Sequence, residues 1–293
     1  MSHTRAVIIL LIGATLISSS PILVKLAAIQ SMGPTAIGFW RTLIGGLALL
    51  TAVWLRGKSV RLSSGAMRFS ILAGFLFFID LYVWHRSVIY AGAGMSTILG
   101  NTQVFVTAVL SFLLFKEQLT LRFMVAAVTA FVGVVLLVGI GSTEVQFTET
   151  YIKGVLFGLA TGLAYATYLI SLKRGITDAS QPDSMVFVAW ASLFSAVFLG
   201  VTALFESEPF LPSGFDAIVS VIGLGLVVQA LGWWIIASVL PRVPTPQAGL
   251  ILLLQPTLSM LWGVIFFAEY LTVVQIVGAV ITLAAMYIGS VRR

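Results

Sequence analysis

Ten apolar runs, each close to the length that carries a helix through a bilayer, succeed one another along the sequence. A hydrocarbon core about 30 Å thick is crossed by roughly 20 helical residues. Runs of that size fall near 6–28, 35–55, 69–89, 93–115, 121–140, 152–172, 184–205, 217–239, 245–267 and 272–290. Short breaks rich in Pro, Gly or charge separate them, such as Met32-Gly33-Pro34, Arg56-Gly57-Lys58 and Glu208-Pro209-Phe210-Leu211-Pro212. No run shows the period-two alternation of a lipid-facing barrel strand, so helices are the expected spanning form. The first run exceeds the apolar core of a secretory signal and lacks a small-x-small cleavage pattern, so it reads as a retained helix.

Only 9% of the 293 residues are charged, against about 25% in soluble domains. So few charges cannot coat a water-soluble globule, which excludes a cytosolic enzyme and a disordered chain. The net charge of +6 comes from cations standing singly between apolar runs, a pattern that orients helices and grips no nucleic acid. With the N-terminus inside, twelve of the sixteen Lys and Arg fall on the cytoplasmic side. Only Lys25, Arg86 and Lys153 fall outside, and Arg41 lies within a span. This positive-inside bias predicts ten spans with both termini cytoplasmic in a bacterial-type inner or plasma membrane. The absence of cysteine removes thiolate chemistry and Cys-held metals, and two histidines, His3 and His85, make no metal cluster.

The halves repeat. Phe115-Lys116-Glu117-Gln118-Leu119-Thr120 returns 152 residues later as Phe267-Ala268-Glu269-Tyr270-Leu271-Thr272, and Gln103 and Gln255 stand at the same offset. Residues 1–146 and 147–293 are therefore expected to form two five-helix units. Five being odd, the second would enter the membrane from the opposite side, as in secondary transporters with a site near the midplane. In these motifs, and in Gln255-Pro256, the chain resembles the EamA-type branch of the drug/metabolite transporter superfamily. The first half carries Gln103-Val104 where the resemblance leads one to expect a proline. That resemblance implies a ten-helix all-α exporter of metabolites or amino acids, its inverted repeats surrounding a central cavity.

The polar residues inside spans form the candidate site. Asp80 sits mid-span, where a carboxylate costs on the order of 2.5–3.5 kcal/mol and must face protein or water. It would bind a substrate ammonium or carry a proton, or else serve as a hydrogen-bonded packing group. Trp84 shares its helical face, and Phe78, Tyr82 and His85 share a neighbouring one. His85 reads as a packing histidine or as a gating or proton-carrying group, and Arg86 beside it is expected to snorkel to the outer interface. Arg41 would meet a substrate carboxylate, or form a structural pair with a carbonyl or headgroup. Ser18, Ser19 and Ser20, with Asn101, Gln103, Gln229 and Gln255, lie at comparable depth on different helices, which suggests a wet central cavity, with interhelical glue as the rival reading. Tyr165, Tyr168 and Trp233 would wall that cavity or simply pack the bundle. Pro21 and Pro256 mark helix bends, and Gly158-x-x-x-Gly162 marks close packing. Glu117 and Glu269 sit at span ends, where a carboxylate would accept N–H bonds from the start of the following helix; ion coupling is the alternative.

No catalytic elbow, zincin motif or Walker A loop is present, and Asp80 has no second intramembrane Asp to pair with, so an enzyme or an ATP-driven pump is not expected. No charge ring or carbonyl filter speaks for a channel. The reading is a secondary exporter of amino acids, aromatic or large apolar ones first, working by alternating access. The alternative is an exporter of drugs, quaternary ammonium compounds or other metabolites. The expected partners are a small-molecule substrate, the lipid bilayer and protons, with no cofactor, metal or nucleic acid, in a monomer or homodimer.

Overall fold

The computed structural model describes residues 3–106, 109–110, 121–177, 183–243 and 251–290. Among them the regular structure is entirely helical. In chain order the helices are α1 (His3–Ser18), α2 (Ser20–Ile29), α3 (Pro34–Leu55), α4 (Ser64–Ala91), α5 (Ala93–Asn101) and α6 (Leu121–Leu137). They continue with α7 (Glu149–Ile176), α8 (Ser184–Glu206), α9 (Phe215–Gly223), α10 (Trp233–Val239), α11 (Leu254–Phe267) and α12 (Val273–Ser290). A π-helical stretch, Leu224–Gly232, joins α9 to α10. Six helical units among the described residues are long and apolar enough to cross a membrane: α1 with α2, α3, α4, α7, α8, and α9 through α10.

Local chemistry sets the boundaries. Ser63, Thr148 and Asp183 cap α4, α7 and α8, each accepting a backbone N–H two or three residues on. Thr272 and Gln275 form a reciprocal capping box at α12: Thr272 N–H donates to Gln275 Oε1 at 3.1 Å, and Gln275 N–H to Thr272 Oγ1 at 3.3 Å. Pro34 starts α3, where its missing N–H costs nothing.

Three runs are interrupted among the described residues, the first and the ninth (at Leu253) near the bends expected of Pro21 and Pro256, and the fourth where no bend was expected. The first breaks at Ser19, because Pro21 has no N–H to offer and its ring crowds the carbonyl four residues back. The fourth breaks at Thr102, whose hydroxyl donates to the Leu99 carbonyl at 2.6 Å.

Apolar side chains cover the outside of the bundle, with Phe205 85%, Leu204 77% and Phe131 69% exposed. A soluble fold would bury such residues, whereas a bilayer solvates them. Between helices the backbones approach closely. A methyl on Gly278 of α12 would overlap the Leu137 backbone nitrogen of α6, and one on Gly158 of α7 would lie 2.7 Å from Leu99 and 2.8 Å from Ser87. The helices pair α3 with α8, α4 with α7, α5 with α11, α6 with α12, and α1 with α10 and the π stretch.

Candidate functional site

A cavity of about 50 Å³ lies at the centre of the bundle. α2 contributes Ser20 and Pro21, α3 Arg41, and α4 Phe77, Asp80 and Trp84. α5 adds Thr97 and Asn101, α7 Thr161 and Tyr165, α10 Trp233, and α11 Gln255 and Ser259. Rings form one wall. Phe77 stacks on Tyr168 at 4.4 Å between centroids, and Trp233 meets Phe77, Tyr165 and Tyr168 edge-on at 5.6, 6.1 and 5.1 Å. Such tilted and edge-to-face pairs are the favourable geometries for ring quadrupoles.

Three buried polar atoms on this lining have no hydrogen-bond partner: the acceptor Asp80 Oδ1 and the donors Trp233 Nε1 and Gln255 Nε2. Unpaired groups of this kind cost about 1–3 kcal/mol each, so three sharing one cavity need an explanation. Arg41, 2% exposed, is by contrast engaged. Its Nε donates to Gln229 Oε1 at 3.1 Å and its Nη1 to Ser20 Oγ at 3.0 Å. Its guanidinium lies 5.8 and 5.9 Å from the ring centres of Phe77 and Trp84. Gln229 passes its own Nε2 proton to Ser192 Oγ at 2.8 Å. Arg41 is thus held by α2, the π stretch and, through Gln229, α8, and it presents its charge to the cavity from a fixed position.

Of the residues expected to line a site, Asp80, Trp84, Asn101, Tyr165, Trp233, Gln255, Arg41 and, from the serine run, Ser20 meet at the cavity. Others do not reach it. Ser19 turns its hydroxyl back to the Leu16 carbonyl at 2.7 Å, and its neighbour Ser20 takes the place at the lining. Tyr168 stands behind Phe77, and Gln229 behind Arg41. Phe78 packs on Phe198 of α8 at 5.9 Å. Gln103 is buried past the break at Thr102. His85 Nδ1 bonds the Pro34 carbonyl at 3.1 Å, which makes Nδ1 the protonated nitrogen. Pro256 lies in the first turn of α11, beside Gln255. Glu117 lies outside the described residues.

The cavity also includes Phe77, Thr97, Thr161 and Ser259, which were not expected there, and Pro21, which was read only as a helix bend. A sequence signal for most of them exists. Thr97 with Asn101, Thr161 with Tyr165, and Gln255 with Ser259 repeat the four-residue spacing of Asp80 with Trp84, so each helix offers two residues on one face.

Two ion-pair clusters lie at one end of the bundle. Arg86 does not snorkel. It is 7% exposed, and its Nη2 donates to Glu206 Oε1 at 2.8 Å, Glu208 Oε1 at 3.2 Å and Thr35 Oγ1 at 2.9 Å. Partners on two chain segments, the start of α3 and the end of α8, hold it where a lone arginine would reach for water. Tyr82 belongs here, its hydroxyl donating to Glu206 Oε1 at 2.8 Å under the Arg86 guanidinium. Burial pushes the Glu208 carboxyl above its ordinary range, with Arg86 pulling the other way.

In the second cluster Lys25 Nζ bonds Glu269 Oε1 at 2.6 Å, and the same oxygen accepts the Ala93 N–H at 3.0 Å. Glu269 therefore does take a helix N-terminus. It is that of α5, in the other half of the chain, and not of α12, which follows it; α12 has its own capping box.

Comparison with known proteins agrees with this architecture. The EamA-like transporter family model matches the chain twice, over residues 4–139 and 152–291. A Salmonella typhimurium protein named "Probable amino-acid metabolite efflux pump" is 25% identical over 203 residues, 67% of each chain. The Escherichia coli protein of the same name is 24% identical over 203 residues, again 67% of each. The uncharacterized transporter YwfM of Bacillus subtilis is 25% identical over 253 residues, 85% of this chain and 81% of the relative. A crystal structure aligns with 98% of this chain and 96% of its own at a TM-score of 0.71 and 18% identity, a likeness of fold.

Proposed function

The chain belongs to the EamA-like transporter family, and from that premise we propose that it exports amino acids, large apolar or aromatic ones first, by alternating access. One observation carries the reading: an unpaired carboxylate oxygen and two unpaired N–H donors share a ring-walled cavity. A zwitterion with an apolar side chain complements all three features. Its ammonium meets Asp80 Oδ1, its carboxylate meets Trp233 Nε1 and Gln255 Nε2 in the field of Arg41, and its side chain meets Phe77, Trp84 and Tyr165. Names given to the Salmonella and Escherichia relatives point the same way.

The architecture in this reading is ten spans in two inverted repeats, residues 1–146 and 147–293, with both termini cytoplasmic. The helix pairing supports it. A two-fold operation exchanging the halves maps the α3–α8, α5–α11 and α6–α12 contacts onto themselves, and maps α4–α7 onto the contact of α1 with α10 and the π stretch. At about 50 Å³ the cavity has room for a few water-sized bodies, each needing about 10–15 Å³. A substrate the size of an amino acid therefore fits only when the surrounding helices part.

The test is a thermal-shift screen in detergent, followed by counterflow in proteoliposomes. A substrate raises the melting temperature by mass action, and Phe, Trp, Tyr, Met or Leu is expected to do so and to exchange. If none shifts or exchanges while a quaternary ammonium compound does both, the amino-acid reading falls and Asp80 serves a permanent cation. An imposed pH gradient in the same vesicles tests protons as the coupling ion.

A further inference from the structure

We propose that the Arg86 and Lys25–Glu269 clusters form a double latch, and that their parting opens the central cavity at the end of the bundle that carries them. This rests on the transport reading in one respect, that the cavity must open and close.

Position is the first support. Each latch residue on a cavity-lining helix lies a short distance from the lining, always towards the same end. Lys25 is four residues beyond Pro21 on α2, and Arg86 is six beyond Asp80 on α4. Ala93 is four before Thr97 on α5, and Thr35 is six before Arg41 on α3. At 1.5 Å per residue these steps are about 6 to 9 Å. Both clusters therefore lie beyond the same end of the cavity, within two turns of its lining.

Connectivity is the second. The Arg86 cluster ties α4 to the start of α3 and to the end of α8, and the chain after α8 is pinned as well. Thr35 Oγ1 donates to Glu206 Oε2 at 2.5 Å, Thr35 N–H to Glu208 Oε2 at 3.1 Å, and Gly33 N–H to the Pro209 carbonyl at 3.1 Å. A side chain at Gly33 would overlap the Glu208 carboxylate, so glycine is what lets these strands of chain meet. The second cluster ties α2 to the start of α5 and to the turn after α11, with Lys25 Nζ 4.7 Å from the Phe267 ring centre. The first cluster holds α3 and α4 to α8, the second holds α2 and α5 to α11, and the single-residue turn at Gly92 joins α4 to α5 between them; five of these helices, all but α8, line the cavity. Those helices cannot separate at this end while both clusters hold.

Chemistry is the third. These pairs are shielded, with side chains 8–25% exposed, whereas Lys58–Asp183 between α3 and α8 has side chains 60% and 36% exposed. Shielded pairs resist screening by salt and hold one geometry, but their members are hydratable once the helices part, which suits a reversible closure.

The natural sequence has no cysteine, so a single Thr97→Cys reports on the cavity without background. Its labelling by a membrane-impermeant maleimide is measured in right-side-out and inside-out vesicles, with Ser213→Cys in an exposed loop as the reference. Arg86→Gln and Glu269→Gln are each expected to speed labelling of position 97 several-fold from one face only, and the pair together at least tenfold. The charge swap Lys25→Glu with Glu269→Lys is expected to restore slow labelling if the protein folds. Equal acceleration from both faces, or none in the double variant at an unchanged melting temperature, overturns the latch. The assay needs no substrate, so it stands apart from the amino-acid reading. Acceleration confined to the cytoplasmic face keeps the latch and overturns the assigned orientation.

Discussion

Replacing Asp80 with Asn separates a ligand-binding carboxylate from a packing one, because the two roles predict opposite signs for stability and binding. Asp80 is 6% exposed, its Oδ1 has no partner, and no ion pair within 4.0 Å is made with Arg41, whose Nε and Nη1 are taken by Gln229 and Ser20. The fold thus makes no direct ion pair with this charge, keeps only its longer-range attraction to Arg41, and bears its placement cost, about 2.5–3.5 kcal/mol at mid-membrane on insertion scales. Asn keeps the shape and removes the charge. The variant is expected to melt at or above the wild-type temperature. A substrate ammonium, however, loses a charge-assisted bond worth about 1.5–3 kcal/mol, which weakens binding roughly 10- to 150-fold. The assay is a ligand titration of the melting temperature in detergent, with the unliganded protein as reference. A variant that melts several degrees lower and keeps the wild-type ligand shift would refute the assignment and make Asp80 a structural group.

Further outcomes are expected. Gly278→Ala should force α12 from α6, since its methyl would overlap the Leu137 backbone and lie 2.7 Å from the Gly133 carbonyl; overpacking of this kind costs about 1–3 kcal/mol and shows as a lowered melting temperature. Trp233→Phe should preserve the ring contacts, remove an unpaired N–H and leave stability unchanged or raised, while weakening any ligand bearing a carboxylate, read by the same titration. At Asp183, burial works to raise the carboxyl, but hydrogen bonds from Lys58 Nζ and Met185 N–H and the charges of Lys58 and Arg56 prevail and hold it below its ordinary range. Its stabilisation is therefore complete above the ordinary carboxylate range and is lost as pH falls through the lower folded value. Asp183→Asn should depress the melting temperature slightly at neutral pH, by less than about 1 kcal/mol for so exposed a pair, and the difference should vanish in strong acid.

Much of the fold could be read from the chain because its causes are local. Run length, the scarcity of charge and the capping residues act within a few positions, so the helices appear where hydrophobicity and turn chemistry place them. The interruption before Pro21 was legible from the proline, whereas the one at Thr102 was not. There a hydroxyl turned back on the Leu99 carbonyl accompanies the break within a run that stays apolar throughout. Asp80, Arg41, Asn101 and Gln255 could be singled out because polar groups are expensive in hydrocarbon, whatever surrounds them.

Partnership was not legible in the same way. Arg86 and Phe77 show this best. The sequence presents Arg86 as a charge near a span end and Phe77 as one ring among twenty phenylalanines. Only the packing brings Glu206 and Glu208 to the one, and turns the other, rather than Phe78, towards the cavity. Likewise Glu269 was legible as a helix-capping carboxylate, but the helix it caps lies 176 residues away. What the amino-acid sequence alone determined is the class of solvent, the helices and the short list of intramembrane polar residues, each of which follows from transfer energies of single residues and short segments. Which of those residues meet, which are satisfied and which are left open to a ligand was decided by the tertiary structure, because hydrogen bonds and ion pairs depend on distances between helices that no local property encodes.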